Sequence, residues 1–339
     1  MSRKVVTRGV VCPRCWLSYT GTVAGSLRSL GVDCDTVDVG GYSGYAFIVN
    51  VTKGATDPSG PTALGDLWNE IFSGTESLGL SIEVYQDVEY ERLSGDPTPE
   101  ELERTRGLFE RVKGEIDGRD RPVVVWGLPA PDFGVAVGYE EESYLANTVY
   151  GDTEIPVPYY RLQAPGKIQA LFFRDEVERQ TAFDVKAVER AVRFASWTAP
   201  APGGSLWVMG PPALGTWADA LRNLPETQDY WSGYGGNSYV AQCVREGRSL
   251  AAEFLNRLSA KHRGRQAKHL KEASKSYEEE RKLMEGFTQI FPYTEAASPQ
   301  PELKPEHLKK GAEILRKVKL LEEKAARDMR KALEEWESL

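Results

Sequence analysis

The feature that most limits what this chain can fold into is a change of hydrophobic period near residue 175. Upstream, short apolar runs are bounded by turn residues: Tyr45–Val51, Leu80–Val84, Val123–Trp126, Val135–Tyr139 and Ile168–Phe173. Their β-branched and aromatic content predicts strands. Downstream, apolar residues recur every three or four positions, the spacing of one helix face. Val185, Val188, Val192 and Ala195 mark a first helix and residues 239–258 a second. Ala267, Leu270, Ala273, Tyr277, Met284, Phe287 and Phe291 mark a third, which Pro292 stops. A last helix from about Pro305 carries Ile314, Val318, Leu321, Ala325, Met329, Leu333 and Trp336 on one stripe. The fold class is therefore α+β. Three segments follow: an α+β domain over residues 1–175, a helical domain over 176–296, and a Pro-rich link with a long C-terminal helix over 297–339.

Two helices are also legible inside the first segment. Thr98-Pro99-Glu100-Glu101 supplies an N-cap, a proline at the first helical position and a capping-box glutamate, predicting a helix from Pro99 to about Ile116. Thr22–Leu30 places Val23, Leu27 and Leu30 on one face and stops at Gly31. Where that helix begins is open. It starts at Trp16, or near Thr22 if Gly21 interrupts it, with Thr20 as N-cap.

A chain of 339 residues, 41% hydrophobic and 27% charged, is long for one core and ordinary for a globular protein. A net charge of −8 argues against general nucleic-acid binding, which needs a basic surface to displace counterions. No apolar run reaches the ~18 residues of a membrane span, so no membrane partner is expected. The start, Met1-Ser2-Arg3-Lys4-Val5-Val6, lacks the apolar core of an export signal. A cytoplasmic location follows, with Cys12, Cys15, Cys34 and Cys243 reduced. P-loop, Gly-x-Gly-x-x-Gly, His-Glu-x-x-His and Gly-x-Ser-x-Gly patterns are absent, so no cofactor is expected.

Cys12-Pro13-Arg14-Cys15 has the spacing of a zinc or redox pair. A structural zinc site needs two more ligands, however. There is no second such pair, and His262, His269 and His307 lie far downstream, so no metal is expected. A nucleophilic cysteine is the sharper reading, because the start of a helix favours a thiolate. Cys15 holds that place if the helix begins at Trp16, and Thr22 if it begins later. Activation needs a base, normally histidine, and the first 261 residues contain none. Asp132, just before the apolar strand, is the remaining candidate, although a carboxylate matches a thiol poorly. Asn147 and Asp152, around a hairpin at Tyr150-Gly151-Asp152, could orient such a base. The aromatics Trp217, Tyr230, Trp231, Tyr234 and Tyr239 on a glycine-rich stretch suit a domain interface or a pocket wall.

Three stretches together resemble the family of butirosin biosynthesis protein H. They are Leu30-Gly31 closing a cysteine-bearing helix, the turn Gly41-Tyr42-Ser43-Gly44-Tyr45-Ala46-Phe47, and the strand Phe133-Gly134-Val135-Ala136-Val137-Gly138-Tyr139. The strand is also similar to the one that carries the catalytic histidine in papain-like peptidases of the bacteriocin-processing type, with Asp132 or its neighbour in the histidine's place. The resemblance implies a papain-like fold with an antiparallel sheet, and a cysteine enzyme of acyl transfer or amide chemistry. It implies Cys15, Asp132 and Asn147 as the catalytic positions, and Thr22, Tyr42, Tyr45 and Phe133 as ligand-facing ones. Without the histidine, the expected function is a catalytically degenerate protein that binds a small molecule or peptide in the old cleft. The alternative is a surviving cysteine acyltransferase or amidase. The last stripe packs on the preceding helices or, in a homodimer through the C-terminal helix, on a second subunit.

Overall fold

The structure, a computed structural model, describes residues 3–54, 56–87, 96–178, 180–222, 224, 230–294, 298 and 301–338. In chain order the first elements are β1 (Arg3–Val5), α1 (Ser18–Ser29), α2 (Thr36–Tyr42), β2 (Asn50–Thr52), α3 (Leu67–Glu76), β3 (Leu80–Asp87) and α4 (Pro99–Arg119). There follow β4 (Val123–Trp126), β5 (Phe133–Glu140), β6 (Ser143–Asn147), β7 (Ile155–Pro158), β8 (Ile168–Glu176) and α5 (Ala182–Ala195). The last are β9 (Trp207–Met209), α6 (Pro211–Arg222), α7 (Tyr234–Lys261), α8 (Arg265–Ile290) and α9 (Pro305–Glu337). The fold is α+β, with an antiparallel sheet and a helical C-terminal region.

Two compact units cut across the three-segment division. One comprises Met1–Val39 and Glu76–Arg179, the other Gly40–Thr75 and Gln180–Leu339. The long last helix is thus part of the helical unit rather than a separate segment, and residues 40–75 join it. Of the Pro-rich link, Ala297, Pro299 and Gln300 lie outside the described residues.

The first unit is built on a sheet of order β3-β8-β4-β5-β6-β7, with β1 added beside the end of β5. All of its pairings are antiparallel. Val123, Val124, Val125 and Trp126 are all buried, which is why this strand reads as a continuous apolar run rather than an alternating one. Helix α4 begins as the sequence predicts: Thr98 accepts from the Glu101 backbone N–H, and the Glu101 side chain accepts from the Thr98 N–H. Thr98→Ala is expected to lower stability by about 1 kcal/mol in urea denaturation, since it removes one half of this reciprocal cap.

In the helical unit, α5, α6 and α8 each pack against α9. The α9 residues Ala312, Leu315, Val318, Ala325 and Met329 are buried there, so the C-terminal stripe is used inside the unit. Trp217, Tyr234, Phe287 and Phe291 form one cluster with Leu214 and Val318. Trp217 Nε1 donates to Asn237 Oδ1 (2.6 Å), and Tyr234 OH to the Pro292 carbonyl (2.6 Å). These two aromatics therefore line the core of this unit, with their polar ends satisfied.

The segment Tyr45–Val51 differs from its predicted strand. Gly44 adopts φ +77°, and Tyr45–Phe47 form a 3-10 turn before the short strand β2. Phe47 packs edge-on against Tyr277 (5.4 Å) and Phe254 (6.4 Å), an aromatic cluster that alternation does not describe.

Candidate functional site

The N-terminus of α1 and the turn between β4 and β5 meet within the first unit. Helix α1 begins at Ser18, between the two starts that the sequence left open, and Gly21 lies inside it. Gly21 is accommodated there by packing. A Cβ at this position would stand 2.6 Å from Cys15 Sγ, 2.8 Å from the Pro13 carbonyl oxygen and 2.8 Å from Val149. One turn later, a Cβ on Gly25 would stand 2.7 Å from the Val11 carbonyl oxygen. The two glycines form a bare strip on α1 against which residues 11–15 lie. That close approach outweighs their low helix propensity.

Ser18 is the residue that this arrangement presents to Asp132. Its Oγ donates to Asp132 Oδ1 (2.8 Å) and accepts from the Phe133 backbone N–H (3.1 Å). The other carboxylate oxygen, Oδ2, accepts a short hydrogen bond from Tyr150 OH. Asp132 is 8% exposed and Ser18 4%, while Tyr150 is 47% exposed. The turn is itself tied, since Gly127 N donates to the Asp132 carbonyl (2.9 Å). The hydroxyl of Ser18 thus has its proton on a carboxylate and a lone pair on a backbone N–H. A carboxylate can hold an alcohol proton in a hydrogen bond but is too weak a base to remove it.

The other expected site residues fall differently. The Cys15 thiol is half-buried before α1; it donates to the Leu17 carbonyl (3.4 Å) and lies 4.0 Å from the Thr20 hydroxyl, which itself donates to the Leu17 carbonyl (2.8 Å). Thr20 is thus inside the helix and not its N-cap. Thr22 is fully buried a turn further on, donating to the carbonyls of Ser18 (2.8 Å) and Tyr19 (3.2 Å). It holds neither a nucleophile nor a ligand-facing position, because its hydroxyl is absorbed by its own helix. Asn147 does not orient Asp132. Its Nδ2 donates to the Val10 carbonyl (2.7 Å) and its Oδ1 accepts from the Glu154 N–H (2.8 Å), pinning the N-terminal segment to the hairpin. Asp152 closes that hairpin by accepting from Thr148 Oγ1 (3.0 Å).

Phe133 is 2% exposed and packs on Trp126 (5.1 Å) and Tyr19 (5.4 Å), so it belongs to the core and contributes only its N–H. Tyr42 and Tyr45 belong to the helical unit, where Tyr42 OH donates to Asp184 (2.7 Å) and Tyr45 OH to the Pro61 carbonyl (3.0 Å).

The Cys12 thiol is pushed up to about 12 by burial, which the charge of Arg28 offsets only in part. It therefore stays protonated at neutral pH. Nor is a histidine at hand in this unit. His262 instead shares Asp184 with Lys261 in the helical unit, at 2.7 Å each. No family model matches the chain, and no curated protein matches it.

Ser18 and Tyr150 are the two residues that sequence reasoning missed. Ser18 stands three positions after Cys15, in front of the apolar helix stripe. Tyr150 stands in the hairpin Tyr150-Gly151-Asp152, where Asn147 and Asp152 carry the stronger polar signal.

Proposed function

We propose that this chain is a catalytically degenerate protein on a papain-like, butirosin biosynthesis protein H-like scaffold, binding a small molecule or peptide beside Asp132. One observation carries the reading: the carboxylate expected in the base's place is held by the hydroxyls of Ser18 and Tyr150, and Ser18 is closed off by the Phe133 N–H. A working nucleophile needs a base that can take its proton, and these contacts supply a clasp instead. Tyr150, half-exposed with its hydroxyl on Asp132, offers an apolar body and a polar tip, the combination that recurs in ligand sites.

A second reading, a cysteine acyltransferase or amidase, is favoured by the position of Cys15 beside the start of α1. Iodoacetamide labelling across pH separates the two. A degenerate site predicts that Cys15 alkylates with the profile of an ordinary thiol, with half-maximal rate at or above about pH 8.5. Rapid Cys15 labelling below about pH 7 would overturn the degenerate reading and support the acyltransferase.

A further inference from the structure

Cys12-Pro13-Arg14-Cys15 has the spacing of a zinc or redox pair, but the residue that it presents to solvent is the arginine. The stretch is fixed at both ends. Asn147 Nδ2 donates to the Val10 carbonyl (2.7 Å), Arg28 Nη2 to the Val11 carbonyl (3.1 Å), and the Cys15 thiol to the Leu17 carbonyl (3.4 Å). In between, the Cys12 backbone and the Cys15 sulfur lie against Gly25 and Gly21 on the bare strip of α1. Pro13 fixes its own φ beside Arg14. The arginine side chain then reaches the hairpin tip. A Cβ on Gly151 (φ +102°) would stand 2.8 Å from Arg14 Nη2, 3.2 Å from Nε and 3.3 Å from Cζ, so the guanidinium rests on bare backbone there. The residue before Gly151 is Tyr150, whose hydroxyl holds Asp132. Arg14 therefore stands at the rim of the site built around Asp132.

This cation is not neutralised by its surroundings. The first 32 residues contain no Asp or Glu, so Arg14 lacks the sequence-near acids that pair with cations on solvated helix faces. The other cations of that stretch are engaged. Arg3 pairs with Glu140 and Glu154, Lys4 pairs with Asp117, Arg28 is spent on the Val11 carbonyl, and Arg8 feels the charge of Asp120. Arg14 has no hydrogen bond and no ion pair among the described residues. The carboxylates near the hairpin are turned elsewhere. Asp152 accepts from Thr148 Oγ1 (3.0 Å), Glu154 from Arg3 (2.6 Å), and Asp132 from Ser18 and Tyr150. The site thus shows solvent a guanidinium with its donors unspent, while its buried carboxylate is already satisfied.

We infer that the ligand bound beside Asp132 carries an oxyanion, a carboxylate or a phosphate, and that Arg14 takes this group in a two-pronged hydrogen bond. The inference rests on the proposed binding cleft and adds the class of ligand to it. A planar guanidinium fork matches both oxyanions and holds them in one orientation. Tyr150, half-exposed, supplies the apolar body against which the rest of the ligand packs. The ligand is therefore an organic acid, a peptide ending in its free carboxylate or a phosphate ester, rather than a neutral or cationic molecule.

The test titrates the full chain with N-acetylphenylalanine, with its uncharged amide and with phenyl phosphate, each followed by saturation-transfer NMR. At least one anion is expected to bind about tenfold or more tightly than the amide, and the tighter of the two identifies the group as carboxylate or phosphate. Arg14→Gln should erase that preference and leave amide binding unchanged. Arg8→Gln, the same loss of charge in the same N-terminal stretch, should keep it. Equal binding of the three probes overturns the inference, as does a preference that survives Arg14→Gln or falls equally in Arg8→Gln. If the amide still binds in that case and Tyr150→Ala weakens it, the cleft stands and only the role of Arg14 falls. Binding by none of the three probes overturns the inference and the cleft together.

Discussion

Arg248→Met is expected to cost about 3–5 kcal/mol of unfolding free energy, enough to remove much of the stability of an ordinary domain. Arg248 is fully buried at the centre of α7, α8 and α9. Its Nε donates to Glu280 (2.9 Å), its Nη2 to Glu322 (2.5 Å) and its Nη1 to the Ala46 carbonyl (2.8 Å). Tyr277 OH donates to the other oxygen of Glu322 (3.0 Å). Burial disfavours the charged guanidinium, but Glu322 and then Glu280 outweigh it and hold the group firmly cationic. Methionine fills a similar volume and abolishes the cation, leaving two carboxyl groups fully buried without a counter-charge. The loss is therefore electrostatic rather than a cavity, and it distinguishes removing one partner from replacing the whole cluster. Urea denaturation should show the midpoint falling with an unchanged slope. The triple change Arg248→Met, Glu280→Gln, Glu322→Gln should recover a large part of the loss, because no buried charge then remains. A single-variant loss below about 1 kcal/mol would show that the cluster is dispensable.

This cluster also illustrates what the chain's letters disclose and what they do not. The stripes of α7, α8 and α9 are legible because periodic burial of apolar side chains leaves a periodic record. Glu280 and Glu322 interrupt those stripes as if they were solvated, since a sequence does not say which acidic residue will face an arginine from another helix. The same limit applies at the candidate site. The α4 cap and the β4 and β5 strands could be read from local signals, each of them carried by neighbouring residues. Helix α2, by contrast, contains Gly40 and Gly41, and position 41 requires glycine because the Phe254 ring fills the space a Cβ would take, 2.1 Å away. Such a contact across some 200 residues of sequence leaves no local trace. Likewise Asp132 was recognisable as an acid standing before a strand, but its hydroxyl partners Ser18 and Tyr150 come from two other elements.

Glu280 should make the protein lose stability as pH rises above the ordinary carboxylate range, the reverse of ordinary acid denaturation. Burial, and then the neighbouring charge of Glu322, push its carboxyl well above the usual range, while Arg248 pulls the other way. In the unfolded chain the same group titrates near 4.3. Below that value Glu280 is protonated in both states, and its contribution is fully present. As pH climbs, the unfolded chain releases this proton and the folded one retains it. Stability then falls by up to about 1.4 kcal/mol per pH unit until the folded group ionises too. The geometry explains the preference: Glu280 Oε1 accepts no hydrogen bond, and a proton turns it into a donor facing Glu322. Several exposed acids oppose this trend at lower pH. Arg222 and Arg316 hold Asp219 down, and Lys275 holds Glu272 down, so their support is lost only on acidification through their own lowered range. Glu280→Gln keeps the shape and the acceptor for Arg248 without the ionisable proton. Denaturation midpoints measured from about pH 5 to about pH 8 should decline in the natural chain and stay nearly level in this variant, with the curves diverging as pH rises. Parallel curves would place the proton elsewhere. The natural chain being the more stable of the two at pH 8 would mean that an ionised Glu280 is tolerated beside Glu322, with Arg248 serving both.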